Sequence, residues 1–285
     1  MGSKAVVLGG GGVVGIAWET GLAAGLAEGG IDLAGADLIV GTSAGSVIGA
    51  QLAAGRSAPE MLEELLSPDE NSIATQLEFD LPTVIAIFQK WSGFDQINDA
   101  GCAEVGAMAL NAKTMSEKAW LESFAERFAG EWPERKLVVT AVDAVTGAFQ
   151  TWDRESGVPL ELALASSCTV PGLFPAVSIS GNQYIDGGVR SGTNADLAKG
   201  HDTVLIIAAL GGRPENIGPI CKRTAEAEAA ALNAGGSHVE LHFMDEGSLE
   251  AVGPNMMDPT RTEITAEAGV AQGKKLAALI ADVWS

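Results

Sequence analysis

The chain has 285 residues, 47% of them apolar and 19% charged, a composition that fits one large α/β domain and excludes wholesale disorder. Its 17 basic and 37 acidic side chains give a formal net charge of −20, which repels nucleic-acid phosphates and anionic lipid headgroups. We therefore expect no nucleic-acid partner, whereas a neutral or micellar lipid is compatible with this charge, because apolar area drives the burial of an acyl chain.

The N-terminus and the cysteines indicate where the protein works. Residues 1–4 read Met-Gly-Ser-Lys and lead directly into an apolar segment, without the apolar core of a signal peptide. No run of 18 apolar residues occurs, so we expect no transmembrane helix and a cytoplasmic location. The three cysteines, Cys102, Cys168 and Cys221, have no metal-site spacing. We expect buried free thiols, no metal and no cofactor.

A glycine run follows the first predicted strand, residues 5–9, and precedes a predicted helix over residues 15–28. It contains G-x-G-x-x-G at Gly10, Gly12 and Gly15, which is typical of dinucleotide binding. That site requires an acidic residue at the end of the second strand, but this strand ends in Gly41 and Asp37 lies at its beginning. Two other interpretations remain open: backbone amides that bind an oxyanion, and a loop needed only for helix–sheet packing.

The second predicted strand, residues 37–40, leads into Gly-Thr-Ser-Ala-Gly at residues 41–45, which matches the nucleophile elbow G-x-S-x-G. A serine on such a strained turn projects its hydroxyl above the sheet edge, and the next helix directs its N-terminal amides at the same point. Ser43 is therefore a candidate nucleophile. A tight strand–helix turn without chemistry is the alternative.

The remaining elements predict a three-layer α/β/α fold with a mainly parallel sheet in one domain, residues 1–285. Residues 56–115 lack the strand–helix alternation and are expected to form a helical insertion, whose Phe88, Trp91 and Phe94 line the acyl site or simply pack in the core. A capping box at Thr114 to Glu117 opens a helix ending near residue 128. After this helix we expect a hairpin at 137–152, a helix at 159–166 and strands at 176–179 and 203–209. The C-terminal region, about 200–285, is expected to form helices around a strand at 238–244.

Histidine is a weak candidate for the base that would activate Ser43. His201 precedes a strand and reads as a loop residue. His238, Glu240 and His242 alternate along a predicted strand, so their side chains lie on the same face of it. Such a pattern can bind a metal ion, but it is more commonly a strand face exposed to solvent.

Asp186 is the other candidate base. It ends the strand-like segment Tyr184-Ile185-Asp186 and precedes Gly187-Gly188, so its carboxylate can approach another loop closely. Burial would raise its proton affinity and suit it to accept the serine proton. A turn-forming aspartate is the alternative, since Asp-Gly is a common hairpin signal.

Together these motifs resemble the patatin-like phospholipase family. The residues that carry the resemblance are the loop at 10–15, the elbow at 41–45 and Asp-Gly-Gly at 186–188, with secondary matches at 141–147 and 165–175. The likeness covers about residues 5 to 200 in the right order and spacing.

The resemblance implies a serine acyl-ester hydrolase that cleaves fatty-acyl esters with a Ser43–Asp186 dyad, without histidine, metal or cofactor. It implies an oxyanion hole at Gly10, Gly11 and Gly12, with the Val13 amide as a further donor. One position departs from the family pattern: Val14 stands where a basic residue is usual, which bears on recognition of a phosphate headgroup. A dinucleotide-binding oxidoreductase and a non-catalytic lipid-binding protein are the alternative functions.

Overall fold

The computed structural model describes residues 2–67 and 80–284. Its strands are β1 (Lys4–Leu8), β2 (Leu38–Gly41), β3 (Leu137–Asp143), β4 (Phe149–Trp152), β5 (Val177–Ile179), β6 (Asn182–Asp186), β7 (Thr203–Ala208) and β8 (His238–Phe243). Its helices are α1 (Gly12–Glu28), α2 (Ala44–Ala53), α3 (Ala58–Leu65), α4 (Leu81–Ser92), α5 (Asp99–Leu110), α6 (Glu117–Phe128), α7 (Leu160–Ser167), α8 (Gly218–Ala234), α9 (Glu246–Val252) and α10 (Thr262–Trp284).

The strands form one mixed sheet in the order β5-β6-β3-β2-β1-β7-β8, with β4 also paired to β3. The five strands from β3 to β8 in this order are parallel, whereas β4, β5 and β6 join by antiparallel pairing. The chain moves from β1 to β2 on one side and returns to β7 on the other, so the order reverses at β1. In open parallel sheets, ligands bind at the carboxyl ends of the strands beside such a reversal.

Helices cover both faces of the sheet because its central strands are apolar on both sides. In β1, the side chains of Val6 and Leu8 pack with α1, α2 and α10, while those of Ala5 and Val7 pack with α8. This alternation follows from the two-residue period of a strand. The predicted three-layer α/β/α fold is therefore confirmed.

Helix α10 joins the C-terminal region to α1 through glycines on both helices. A Cβ on Gly21 would lie 2.1 Å from the carbonyl oxygen of Ala266, and one on Gly269 would lie 2.3 Å from that of Trp18. Only residues without a side chain allow the two backbones to approach so closely. The predicted C-terminal helices are confirmed, and α10 packs along α1.

Two local predictions need correction. The capping box predicted at Thr114 is wrong, because α6 begins at Glu117 and its N-cap is Ser116, whose hydroxyl accepts the Ala119 N–H at 3.2 Å. The short helix α9, capped by Asp245, was not predicted. The predicted insertion is helical where described, at α3, α4 and α5, and its residues 68–79 lie outside the described part of the chain. Among the described residues, no helix is both long and apolar enough to cross a bilayer.

Candidate active site

Ser43 lies on a strained turn between β2 and α2. Its backbone has φ 53° and ψ −119°, a conformation that costs a non-glycine residue free energy and is found mainly at functional sites. The flanking glycines are required by space: a Cβ on Gly41 would lie 2.5 Å from the Cα of Ser46, and one on Gly45 only 2.1 Å from the carbonyl oxygen of Leu8. The turn therefore has the shape predicted for a nucleophile elbow.

The glycine loop lies beside this turn, at the N-terminus of α1. A Cβ on Gly10 would lie 3.4 Å from the Cβ of Ser43. No side chain caps α1, and among the described residues the N–H groups of Gly11, Gly12 and Val13 have no hydrogen-bond partner. These amides are available for an anion, and the positive end of the α1 dipole favours negative charge at this point.

Gly10 behaves differently from the other loop glycines. Its N–H donates to the carbonyl oxygen of Gly192 at 2.9 Å. This amide is not free to bind an oxyanion, contrary to the prediction from sequence. The bond instead ties the glycine loop to the loop that follows Asp186.

The sheet register brings Asp186 level with Ser43. Gly41 pairs with Val139 in the neighbouring strand, and two residues further along β3 Ala141 pairs with Asp186 of β6. Continuing β2 by two residues from Gly41 reaches Ser43, so both side chains arrive at the same level of the sheet. Residues 143 positions apart in sequence meet because β3 pairs with both of their strands.

Asp186 is buried, with 3% of its surface exposed, and Ser43 is buried to a similar degree at 5%. Burial raises the pKa of the Asp186 carboxyl from 3.8 to about 7. The nearby Ser43 hydroxyl and the Gly188 N–H, which donates to the carboxylate at 2.7 Å, lower the pKa but do not cancel the effect of burial. A carboxyl with this pKa is partly ionised at neutral pH and can both accept and return a proton.

Gly187 and Gly188 allow the close approach that the sequence suggested. A Cβ on Gly187 would lie 2.2 Å from the Thr140 hydroxyl, and one on Gly188 would lie 2.9 Å from the Asp186 Oδ1. The Gly188 N–H donates to this Oδ1 at 2.7 Å. Asp186 therefore stabilises its own turn, as the alternative interpretation had it, while also facing Ser43.

The histidines lie elsewhere. His201 contacts the Ala198 carbonyl, with its Nδ1 at 3.0 Å. On the edge strand β8, the Nε2 atoms of His238 and His242 lie 3.0 Å and 3.2 Å from the two Glu240 carboxylate oxygens. Within the described ranges, no histidine hydrogen-bonds Ser43 or Asp186, and no group of three or more His, Cys, Asp or Glu side chains has the arrangement of a metal site.

The thiols are free, as expected. Cys102 and Cys221 are buried, whereas Cys168 is half-buried and its Sγ contacts the carbonyl oxygen of Ser43 at 3.3 Å. Burial raises the pKa of Cys168 well above its usual range, and the nearby Asp186 raises it further. This thiol is therefore protonated and packs against the elbow without acting as a nucleophile.

Two methionines that sequence reasoning missed cover the glycine loop. The carbonyl oxygen of Met256 accepts the Val14 N–H at 3.1 Å, and the Met257 Sδ lies 3.0 Å from the position of a Cβ on Gly12. The buried Arg213 holds this segment by donating to the carbonyl oxygens of Gly253 and Pro254 at 2.9 Å and 3.1 Å. No local motif marks these residues, because they reach the site only through the packing of the C-terminal region.

The aromatic residues of the insertion belong to a core cluster. Trp91 is 4% exposed and packs beside Phe88, with ring centroids 5.7 Å apart. The same cluster includes Phe94 at its edge and Ile185, the neighbour of Asp186. The packing interpretation of Trp91 is confirmed, and contact of these rings with an acyl chain stays a prediction.

Comparison with known proteins adds a family match. The family model described as patatin-like phospholipase matches residues 6–199. No curated protein sequence matches the chain. Among solved structures, VipD from Legionella pneumophila is similar at 15% identity and a TM-score of 0.47, over 98% of this chain and 67% of that chain. The type III effector protein ExoU is similar at 16% identity and a TM-score of 0.41, over 98% of this chain and 54% of that chain.

Proposed function

Since the chain belongs to the patatin-like phospholipase family and is thus a lipid acyl hydrolase, we propose that it cleaves fatty-acyl esters with Ser43 as nucleophile and Asp186 as base. The observation that carries this proposal is the meeting of a strained serine turn with a buried carboxyl. The Ser43 hydroxyl is close enough to Asp186 to lower the pKa of the carboxyl.

In the first step, the Ser43 oxygen attacks the ester carbonyl carbon while the Asp186 carboxylate accepts the hydroxyl proton. The tetrahedral intermediate collapses, the bond to the alcohol oxygen breaks, and Asp186 returns the proton to the departing alcohol. The product of this half-reaction is an acyl-enzyme on Ser43. Water then attacks the acyl carbonyl by the same route, with Asp186 as base, and releases the fatty acid.

The oxyanion of each tetrahedral intermediate is assigned to the amides of Gly11, Gly12 and Val13. Their N–H groups are unpaired within the described chain, at the N-terminus of α1, and directly follow Gly10, where a Cβ would lie 3.4 Å from the Ser43 Cβ. One donor of this kind is worth about 3 kcal/mol of transition-state stabilisation. Gly10 has a structural role instead, because its N–H already donates to the carbonyl oxygen of Gly192.

The substrate is a lipid with a neutral or zwitterionic headgroup. Val14 is fully buried, and its side chain packs in the core where a basic residue would offer a cation. The net charge of −20 disfavours approach to an anionic lipid surface. A cytoplasmic location stays a prediction from sequence.

A dinucleotide-binding oxidoreductase fits this arrangement poorly. The acid available in the second strand, Asp37, accepts the Lys4 N–H at 2.7 Å at the beginning of the strands, whereas a ribose would lie at their carboxyl ends. The elbow with Ser43 occupies that end of β2.

Hydrolysis of p-nitrophenyl esters of increasing chain length tests the proposal against a non-catalytic lipid-binding role. We expect the wild-type protein to hydrolyse long-chain esters, and Ser43→Ala and Asp186→Asn to lose at least about a thousandfold in kcat. Ser156→Ala, which changes an exposed loop serine, is the matched control and keeps full activity. Undiminished hydrolysis by folded Ser43→Ala protein would remove the proposed nucleophile.

A further inference from the structure

One buried amide links the turn that carries Ser43 to the loop that carries Asp186. It belongs to Asn194, which is fully buried and lies eight positions after Asp186 in the chain. Neither the nucleophile, the base nor the oxyanion amides account for it. A primary amide inside a protein is costly to bury unless its hydrogen-bonding groups are satisfied.

The Asn194 Nδ2 faces both catalytic segments. It donates to the Thr42 hydroxyl at 3.0 Å and lies 3.3 Å from the carbonyl oxygen of Gly187. Thr42 immediately precedes Ser43, and Gly187 immediately follows Asp186. The same nitrogen also lies 3.3 Å from the hydroxyl of Thr140 in β3, the strand that pairs with both β2 and β6.

The orientation of this amide is fixed by its oxygen. The Arg190 Nη1 donates to the Asn194 Oδ1 at 2.8 Å, and a guanidinium can only donate, so the oxygen must face the arginine and the NH₂ group must face the elbow. Arg190 is held in turn by Asp196, at 2.7 Å and 2.9 Å, and lies over the ring of Phe149.

The backbone of Asn194 serves the same arrangement. It adopts a left-handed conformation, φ 53° and ψ 39°, which asparagine tolerates better than most residues with a side chain. Its N–H donates to the Ser191 hydroxyl at 2.9 Å, and the Nδ2 closes the loop on the Ser191 carbonyl oxygen at 2.8 Å. A strained backbone that is buried and bonded at every polar atom is a rigid element.

We propose that Asn194 is a positioning residue that holds the Ser43 turn and the Asp186 loop in register, so that hydroxyl and carboxylate stay in contact. The inference rests on the proposed function, because it assigns a role only if Ser43 and Asp186 react together. Asn194 touches neither the substrate nor the reacting atoms. Losing its amide leaves both groups present but free to separate, and a misplacement of about 1 Å costs on the order of a hundredfold in rate.

Asn194→Gly tests the proposal, because glycine accepts the left-handed backbone and removes only the amide. We expect kcat to fall about a hundredfold while KM changes less than about threefold, since the acyl site is untouched. Asn216→Gly is the matched control: Asn216 has a similar backbone, φ 55°, in a loop outside the site, and this variant keeps its activity.

A second pair of variants covers the case in which Asn194→Gly fails to fold. Thr42→Val removes the hydroxyl that accepts the hydrogen bond from the Asn194 Nδ2 and keeps the shape of the side chain, whereas Thr42→Ser keeps a hydroxyl. We expect Thr42→Val to lose kcat as Asn194→Gly does, and Thr42→Ser to recover most of it. If both variants fold, their effects combine less than additively, because they break the same link.

The pH profile separates positioning from general structural damage. The Ser43 hydroxyl lowers the pKa of Asp186, so loosening their contact raises the apparent pKa of kcat/KM. Among the described residues, the thiols of Cys168 and Cys221 lie near enough to interact with the Asp186 charge. Burial raises the pKa of both thiols, that of Cys221 to about 12, outside this range. A structural defect alone lowers activity without moving the profile.

Three outcomes overturn the inference. Folded Asn194→Gly and Thr42→Val proteins that keep kcat within about threefold would show that the link is dispensable. Loss of activity with an unmoved pH profile would assign Asn194 a structural role only. If Ser43→Ala remains active, the proposed function fails and this inference fails with it. If Ser43→Ala is inactive and either of the first two outcomes is found, the inference alone is wrong.

Discussion

Replacing Asp186 by asparagine should stabilise the protein at neutral and alkaline pH while it removes the base. Burial raises the pKa of this carboxyl to about 7, against 3.8 for an exposed aspartate. The folded state therefore holds a proton that the unfolded chain releases between about pH 4 and pH 7, and stability falls as pH rises through this window. At 1.36 kcal/mol for each pH unit, the ionised carboxyl costs about 4 kcal/mol above pH 7.

The asparagine side chain of this variant keeps an oxygen for the Gly188 N–H and never ionises, so it avoids this cost. We expect the free energy of unfolding of Asp186→Asn to match the wild type near pH 4 and to exceed it by about 4 kcal/mol at pH 8. Urea unfolding followed by circular dichroism across this range measures the difference.

Asp202→Asn is the control with the opposite sign. The Ser3 backbone and hydroxyl lower the pKa of the exposed Asp202 carboxyl. This variant therefore loses a little stability at pH 8, and the loss disappears as pH falls through the pKa of the carboxyl. If the wild type and Asp186→Asn show parallel stability across the pH range, Asp186 is not a buried carboxyl of raised pKa and the reasoning is refuted.

Four further outcomes follow from the site and its surroundings. The kcat/KM for ester hydrolysis rises with pH and levels off above about 7, because the ionised form of Asp186 accepts the serine proton; a flat profile from pH 5 to 9 would contradict this. Glu19→Met raises the free energy of unfolding at pH 8 by about 1–3 kcal/mol, because the Glu19 carboxyl is fully buried and burial raises its pKa well above the usual value, an effect that the nearby Gly9 backbone offsets only in part. An unchanged urea midpoint would count against this prediction. Gly45→Ala lowers the free energy of unfolding by at least about 3 kcal/mol, because its Cβ would clash with the Leu8 carbonyl. Gly35→Ala is the control and changes stability little, since nothing lies within 4 Å of a Cβ at that position. Equal melting temperatures for the two variants would be inconsistent with the elbow geometry. Added salt speeds hydrolysis of anionic vesicles and leaves zwitterionic vesicles unaffected, because it screens the charge of −20; the same salt response on both vesicles would rule out this repulsion.

Local sequence signals predicted the parts of the site that one segment forms alone. The glycine run after β1 and the elbow after β2 each combine a strand, a tight turn and a helix start, so the residues themselves carry the information. The same holds for the hairpin of β3 and β4, whose turn has its own glycine at residue 147 with φ 73°. Such motifs are determined by sterics over a few residues.

Contacts between distant segments could not be predicted this way. The Gly10 N–H donates to the Gly192 carbonyl oxygen, and the Met256 carbonyl oxygen accepts the Val14 N–H at the start of α1. Both contacts form because the sheet order brings β7 and the C-terminal region against β1. Asn194 shows the same limit, since its partners lie up to 152 positions away. The capping box predicted at Thr114 shows the same limit, because the carboxylate of Glu117 instead accepts the N–H of Ser178, a residue 61 positions away, at 2.6 Å.

Incubation with a fluorophosphonate, followed by peptide mapping in a mass spectrometer, tests most directly whether Ser43 is an activated nucleophile beside Asp186. We predict one phosphonyl adduct on the peptide that contains Ser43, none in Ser43→Ala, and labelling slowed at least about a hundredfold in Asp186→Asn. An adduct on another residue, or equal labelling of Asp186→Asn and the wild type, would contradict the account.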